Sequence, residues 1–216
     1  MPIESFIEAS SAPFFLAYFS ALDAMSICCI WSIFKTNLMC YSTLPNLSKK
    51  IFWSFNMSID VAIVMGSASD WDVMSNAQKM LDQFGVKAES RVLSAHRTPK
   101  ELEEFIRECE EQKVKAFIAG AGLAAALPGV VAALTTTPVI GVPLNAGSLD
   151  GMDALMSIVQ MPPGIPVGTV AIGKPGAINA ALFAIAMMAV NDDDLSEKLK
   201  NYRKEQADKV LAADLS

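Results

Sequence analysis

From residue 59 onward the chain alternates between short apolar runs and longer segments whose apolar residues return every three or four positions. Residues 59–65 are apolar almost throughout, as in a strand buried on both faces of a parallel sheet. After the turn Gly66-Ser67-Ala68-Ser69-Asp70, residues Val73, Met74, Ala77, Met80, Leu81 and Phe84 fall at helical spacing, and Gly85 supplies a stop. Residues 86–93 alternate, with Lys87, Glu89 and Arg91 on one side, which predicts a strand with one less deeply buried face. The next helix carries Leu102, Phe105, Ile106 and Cys109 on one face. Thr98, Pro99 and Glu101 read as its start: a threonine cap, a first-turn proline and a glutamate able to close a capping box. A third strand over 114–119 leads through Gly120-Ala121-Gly122 into a small-residue helix over 123–134, interrupted near Pro128-Gly129. A fourth strand over 138–142, a helix over 150–159, a proline-rich loop over 160–166 and a fifth strand over 167–172 follow. An apolar helix over 175–190 and a charged one over 194–212 complete the order.

Strands and helices alternating at this spacing predict a single α/β domain of three layers, α/β/α, on a parallel sheet of about five strands. The helix over 175–190 is apolar nearly all round. It is therefore expected to be covered on several sides, by a subunit interface or by the chain's own tail.

The first 58 residues break the pattern. Between Ala9 and Phe34 the only charge is Asp23, in a run long enough to span a membrane. Acidic Glu4 and Glu8 precede it, where a signal peptide would carry basic residues. Met57-Ser58-Ile59-Asp60 opens directly into the first strand and would serve as a start. Residues 1–58 are accordingly read as an apolar N-terminal extension, dispensable or foreign to the working protein, with a membrane anchor as the rival reading. The extension balances Glu4, Glu8 and Asp23 against Lys35, Lys49 and Lys50, so the net charge of −6 sits wholly in residues 59–216. A domain that acidic, without a basic cluster, is not expected to bind nucleic acid. An anionic ligand would have to be captured by local geometry. Cys28, Cys29 and Cys40 lie in the extension and only Cys109 outside it. With no zinc-type spacing and a single histidine, no metal site is expected.

That histidine is His96, in the turn between the second strand and the second helix, beside Arg97. Such a turn lies at the carboxyl edge of a sheet, where open α/β folds bind ligands. Histidine carries protons near neutral pH, although a lone histidine can equally serve its turn. Backbone amides and serine hydroxyls in residues 66–70 would suit an anion at a helix start, a weak signal as a lone motif. They lack the lysine of a phosphate-binding loop and the glycine spacing of a dinucleotide fold. Asp70 is either the helix cap or an acceptor for sugar hydroxyls.

Seven motifs occur in order: Val-Met-Gly-Ser-Ala-Ser-Asp-Trp (64–71), Ser-Ala-His-Arg-Thr-Pro (94–99), Ala-Gly-Ala-Gly (119–122), Leu-Pro-Gly (127–129), Pro-Val-Ile-Gly-Val-Pro (138–143), Ser-Ile-Val-Gln-Met-Pro (157–162) and Gly-Ile-Pro-Val-Gly-Thr (164–169). Together they resemble the N5-carboxyaminoimidazole ribonucleotide mutases, the PurE family of purine biosynthesis, over about residues 59–211. The resemblance implies a flavodoxin-like domain, a cytoplasmic homo-octamer, a small-molecule nucleotide substrate and no metal or organic cofactor. It implies a reaction that moves a carboxylate from the exocyclic nitrogen to C4 of an aminoimidazole ribonucleotide. By motif, Ser67 and Asp70 would hold phosphate and ribose, Arg97 would pair with the phosphate, and His96 would be the acid and base. Ser69, Ser94 and Gly122 would belong to the same lining. Direct carboxylation by carbon dioxide is the alternative within the family, and a non-catalytic nucleotide-binding module the alternative outside it. The family usually reads Gly-Ala-Gly-Gly-Ala-Ala-His-Leu-Pro-Gly; here Leu123 stands for a glycine and Ala126 for a histidine. That departure counts against a mechanism built on two histidines, and it brings a different carboxyl donor into consideration.

A chain beginning at Met57 is expected to be soluble and fully active. Comparing its turnover with that of the full chain checks this, and loss of folding or activity on truncation would contradict it.

Overall fold

Val61–Met65 (β1) is buried at every position, and this places it in the middle of the sheet. The structure is a computed structural model and describes residues 59–214; the expectations for residues 1–58 lie outside the described residues. β1 pairs in parallel with Ala88–Val92 (β2) on one side and with Ala116–Gly122 (β3) on the other. β3 pairs with Val139–Leu144 (β4), and β4 with the short Gly168–Thr169 (β5). The sheet order is β2-β1-β3-β4-β5, parallel throughout. β2 is an edge strand, partly exposed along its whole length, where the alternation had predicted only one open face.

Successive β1 residues point to opposite faces, and each face meets its own set of helices. On one face Val61, Ile63 and Met65 pack with Trp71–Phe84 (α1) through Met74, Ala77 and Leu81. On the other, Ala62 and Val64 pack with Pro99–Glu111 (α2), Leu127–Leu134 (α3) and Met152–Val159 (α4), through Leu102, Ile106, Val131 and Ile158. Gly173–Met188 (α5) joins the α1 layer with a stripe of small residues, Gly176, Ala177, Ala180, Ala181 and Ala184. The result is the three-layer flavodoxin-like arrangement. Gly141, in the middle of β4, shows how tightly the layers close. A methyl group there would stand 2.5 Å from Ile158 Cγ2 and 3.0 Å from Val167 Cγ1. Cys109 is fully buried in α2, and burial pushes its thiol up to about 12, so it serves as a small hydrophobe.

α5 is by length and composition apolar enough to cross a membrane, but its Gly/Ala stripe is sealed against the sheet and α1, which makes it a core helix. The last helix, Asp193–Leu211 (α6), supplies part of its cover and has no fully buried residue of its own. α6 is held by Leu195, Leu199 and Tyr202 on the apolar cluster, by the Lys198 ammonium donating to the Phe84 carbonyl at 3.2 Å, and by an edge-to-face contact of Tyr202 with Phe84. The outer side of α5 leaves Phe183 about half exposed.

Four expected boundaries move. β3 runs on through Gly120-Ala121-Gly122, because Ala121 and Gly122 continue the ladder opposite Pro143 and Leu144. The helix expected from residue 123 therefore starts only at Leu127, with Pro128 in its first turn, where no amide hydrogen is needed. The fifth strand shrinks to two residues at the sheet edge. The last apolar helix begins at Gly173, so Pro175 sits inside its first turn.

Candidate active site

The chain leaves β1 outward to β2 and then returns to pair β3 on the other side of β1. This reversal opens a crevice beyond the carboxyl ends of β1 and β3, the place where parallel open sheets bind ligands. Ser67, Ser69, Asp70, Ser94, His96 and Arg97 all lie in the two loops leaving β1 and β2 at that edge.

The loop after β1 is fixed by its own side chains. The Ser67 amide donates to Asp70 Oδ2 at 3.0 Å, and the Ser69 amide donates to Ser67 Oγ at 3.3 Å. The two serine hydroxyls are 2.9 Å apart. This reciprocal arrangement is a capping box around the single turn Ala68–Asp70. Asp70 is therefore not the side-chain cap of α1, as one reading had it; its carboxylate turns back to Ser67 and makes no cap bond to that helix. Burial pushes the Asp70 carboxyl above its ordinary value, opposed by hydrogen bonds from the Ser67 and Gly66 amides and by the charge of Arg97. Such a carboxylate, half-buried in a cleft beside a cation, is a common mark of a functional site.

The loop after β2 is fixed differently. The Ser94 amide donates to Thr98 Oγ1 at 2.8 Å, and the Thr98 hydroxyl donates to the Ser94 carbonyl at 3.2 Å. The expected threonine cap and Glu101 capping box are thus absent, since the Thr98 hydroxyl is spent on Ser94 and leaves the α2 amides without a side-chain cap. Ser94 Oγ in turn accepts from the Arg97 amide and from Arg97 Nε, both at 3.3 Å. Arg97 Nη2 reaches across to the Gly66 carbonyl at 2.8 Å. One edge of the guanidinium is committed to the protein in this way, and Nη1 takes part in none of the hydrogen bonds among the described residues.

His96 lies between these residues, in the turn Ala95-His96-Arg97, with its side chain exposed. A histidine present only to satisfy its turn would bond to it. Here Ser94 and Thr98 close the turn, and the imidazole takes part in none of the hydrogen bonds among the described residues.

Gly122 ends β3, two residues beyond the pairing of Gly120 with Met65, and so stands level with the Ser67 loop. A methyl group there would meet Ala146 Cβ at 2.8 Å, so packing of the loop after β4 also calls for glycine. Leu123 follows at φ 56°, a left-handed conformation that costs a non-glycine residue about 1–2 kcal/mol. Where the resemblance leads one to expect glycine, the backbone has indeed kept a glycine's conformation. Ala126 lies at the N-cap of α3 and brings no titratable group. Sequence reasoning did not find the Gly66 carbonyl or the working part played by Thr98. The first is a main-chain contact across 31 positions, which no local pattern reveals. Elsewhere, a shallow hollow of about 380 Å³ on the outer side of α2 and α3 is lined by Lys100, Glu103, Glu104, Arg107, Glu110 and Leu134. Its side chains are mixed in charge, and none of the crevice residues named above lines it.

Fold and edge together define the class: a flavodoxin-like α/β domain with a polar crevice, bridged by Arg97, at its switch point. The family model described as AIR carboxylase matches residues 60–209, and the chain belongs to that family. It is 51% identical over 154 residues to the N5-carboxyaminoimidazole ribonucleotide mutase of Brucella melitensis, covering 71% of this chain and 95% of that one. It is 51% identical over 158 residues to the mutase of the same name from Escherichia coli, covering 73% and 94%. The crystal structure of Treponema denticola PurE superposes with a TM-score of 0.65 at 30% identity, over 70% of this chain and 93% of that one.

The raised Asp70 value sets a pH dependence. A carboxyl group whose folded value lies above 3.8 stabilises the fold below that pH, and the contribution is lost as pH rises through the folded value. The urea midpoint of the parent should therefore fall relative to that of Asp70→Asn as pH is raised from about 3.8 towards neutrality. A relative rise over the same interval would contradict the burial account.

Proposed function

We propose that this chain is an isomerase of purine biosynthesis that converts N5-carboxyaminoimidazole ribonucleotide into 4-carboxy-5-aminoimidazole ribonucleotide. The observation that carries the reading is the meeting of Ser67, Asp70, His96 and Arg97 at one switch-point edge, with Arg97 bonded across both loops. Its identity of about half with relatives named as mutases supports the same reading.

In this reading Ser67 Oγ holds the phosphate together with Arg97 Nη1, and Asp70 accepts from the ribose hydroxyls. Ser69, Ser94 and Gly122 complete the lining. His96 delivers a proton to the exocyclic nitrogen as the bond from nitrogen to the carboxyl carbon breaks and carbon dioxide forms. C4 then attacks that carbon dioxide, and the C4 proton returns to His96. The proton count closes on one imidazole, which is what a chain with a single histidine and Ala126 in the neighbouring segment requires.

His96→Asn should lower kcat by about 10²- to 10⁴-fold while nucleotide affinity survives, because general acid–base catalysis supplies that much and binding rests on other residues. Turnover of the parent and the variant is measured with the N5-carboxy substrate, and with aminoimidazole ribonucleotide with and without bicarbonate. Near-normal turnover in His96→Asn would remove the catalytic assignment. Bicarbonate-dependent product from the unmodified nucleotide alone would replace the mutase by a carboxylase.

The reading includes a cytoplasmic homo-octamer. Leu149, Met152, Met156 and Val159 leave an apolar row exposed along α4 and the turn before it, and a second copy would cover it. Light scattering should return a mass several times that of one 23.1 kDa chain, and a monomer mass would refute the assembly.

A further inference from the structure

We propose that Thr98 is a positioning residue for substrate binding, acting through Ser94 on Arg97. Three observations lead there. Thr98 stands where a helix cap belongs, yet its side chain makes no bond to the α2 amides. A threonine cap stabilises a helix start, so α2 forgoes a contribution its sequence could have provided. The hydroxyl instead accepts from the Ser94 amide at 2.8 Å and donates to the Ser94 carbonyl at 3.2 Å, while the Thr98 amide donates to the same carbonyl at 2.9 Å. Residue 94 is thus held on both of its main-chain polar groups by one residue.

What that clamp fixes is the acceptor for Arg97. Ser94 Oγ takes bonds from the Arg97 amide and from Nε. It has no other hydrogen-bond partner among the described residues. The direction of the guanidinium is then set by two points, Ser94 Oγ and the Gly66 carbonyl. The second belongs to the end of β1 and moves with the sheet, whereas the first is only as firm as the turn that carries it. With the hydroxyl removed, the Ser94 amide loses its partner, the Thr98 amide alone still holds the Ser94 carbonyl, and the looser turn aims Nη1 less narrowly. A long, exposed arginine loses much rotamer freedom on binding a phosphate, and prior fixing reduces that cost.

The proposal rests on the function argued above, and its test separates the two. Thr98→Val keeps the shape and β-branching of the side chain and removes only the hydroxyl; Thr98→Ser restores it. Each is made in the parent and in Arg97→Ala, and both KM in turnover and the affinity for aminoimidazole ribonucleotide by calorimetry are recorded. Thr98→Val should raise KM and weaken affinity at least tenfold in the parent, Thr98→Ser should stay within about threefold of it, and Thr98→Val should change little when Arg97 is already alanine. An undiminished effect in the Arg97→Ala background, no effect in the parent, or failure of serine to rescue would overturn the role. If valine prevents folding, Thr98→Ala takes its place, and failure of both to fold would make the hydroxyl structural and overturn it as well. Absence of mutase turnover in the parent would sink the proposed function instead, and the calorimetric cycle would still decide on Thr98.

Discussion

The bond from Arg97 to the Gly66 carbonyl, with its second anchor on Ser94, is the constraint on which the crevice depends. β1 and β2 pair as far as Met65 and Val92, and the Leu93 amide still donates to the Met65 carbonyl at 2.8 Å. The next residues on both strands, Gly66 and Ser94, are the two that Arg97 bridges. The sheet's register is therefore carried into the loops by a side chain once the ladder of main-chain bonds ends. Hydrogen bonds to a charged donor contribute about 1.5–3 kcal/mol when shielded. These are exposed to solvent and contribute less, so their value lies in direction rather than stability.

The same geometry explains the division of labour at the site. Arg97 and the Ser67 loop are tied down, which suits the binding role proposed for them. His96 is left without a hydrogen bond among the described residues, which suits the proton transfers proposed for it. Asp70 is strained electrostatically, a carboxylate kept half-buried despite the cost of its charge. Containment is the remaining requirement. In a single chain the edge is open, and carbon dioxide formed there would escape unless something covers it. The exposed Leu123 and the alanines after it give the segment an apolar wall but no roof, so the proposed assembly and the proposed chemistry support one another.

Much of this could be read along the chain. The continuous burial of β1 follows from its apolar run, the spacing of Met74, Ala77 and Leu81 from helical periodicity, and α5 from a stretch apolar nearly all round; all three appear, α5 with its start moved to Gly173. The errors came where two rules compete for the same residues. Gly120-Ala121-Gly122 reads as a turn by composition, but its neighbour β4 keeps it in the sheet. Thr98 reads as a cap, but Ser94, four positions earlier, claims its hydroxyl. Residues in the crevice were legible because their motifs are compact. The contact that joins the two loops was not, because it is made to a main-chain oxygen and any residue at position 66 would present one.

The central claim is that a carboxyl group is carried from nitrogen to carbon within one crevice. The direct measurement is to supply the N5-carboxy nucleotide with its carboxylate labelled by carbon-13, in unlabelled bicarbonate, and to follow the label by mass spectrometry. The account predicts that the label remains in the 4-carboxy product at short times. Product carrying carbon from bicarbonate from the first turnovers would contradict it.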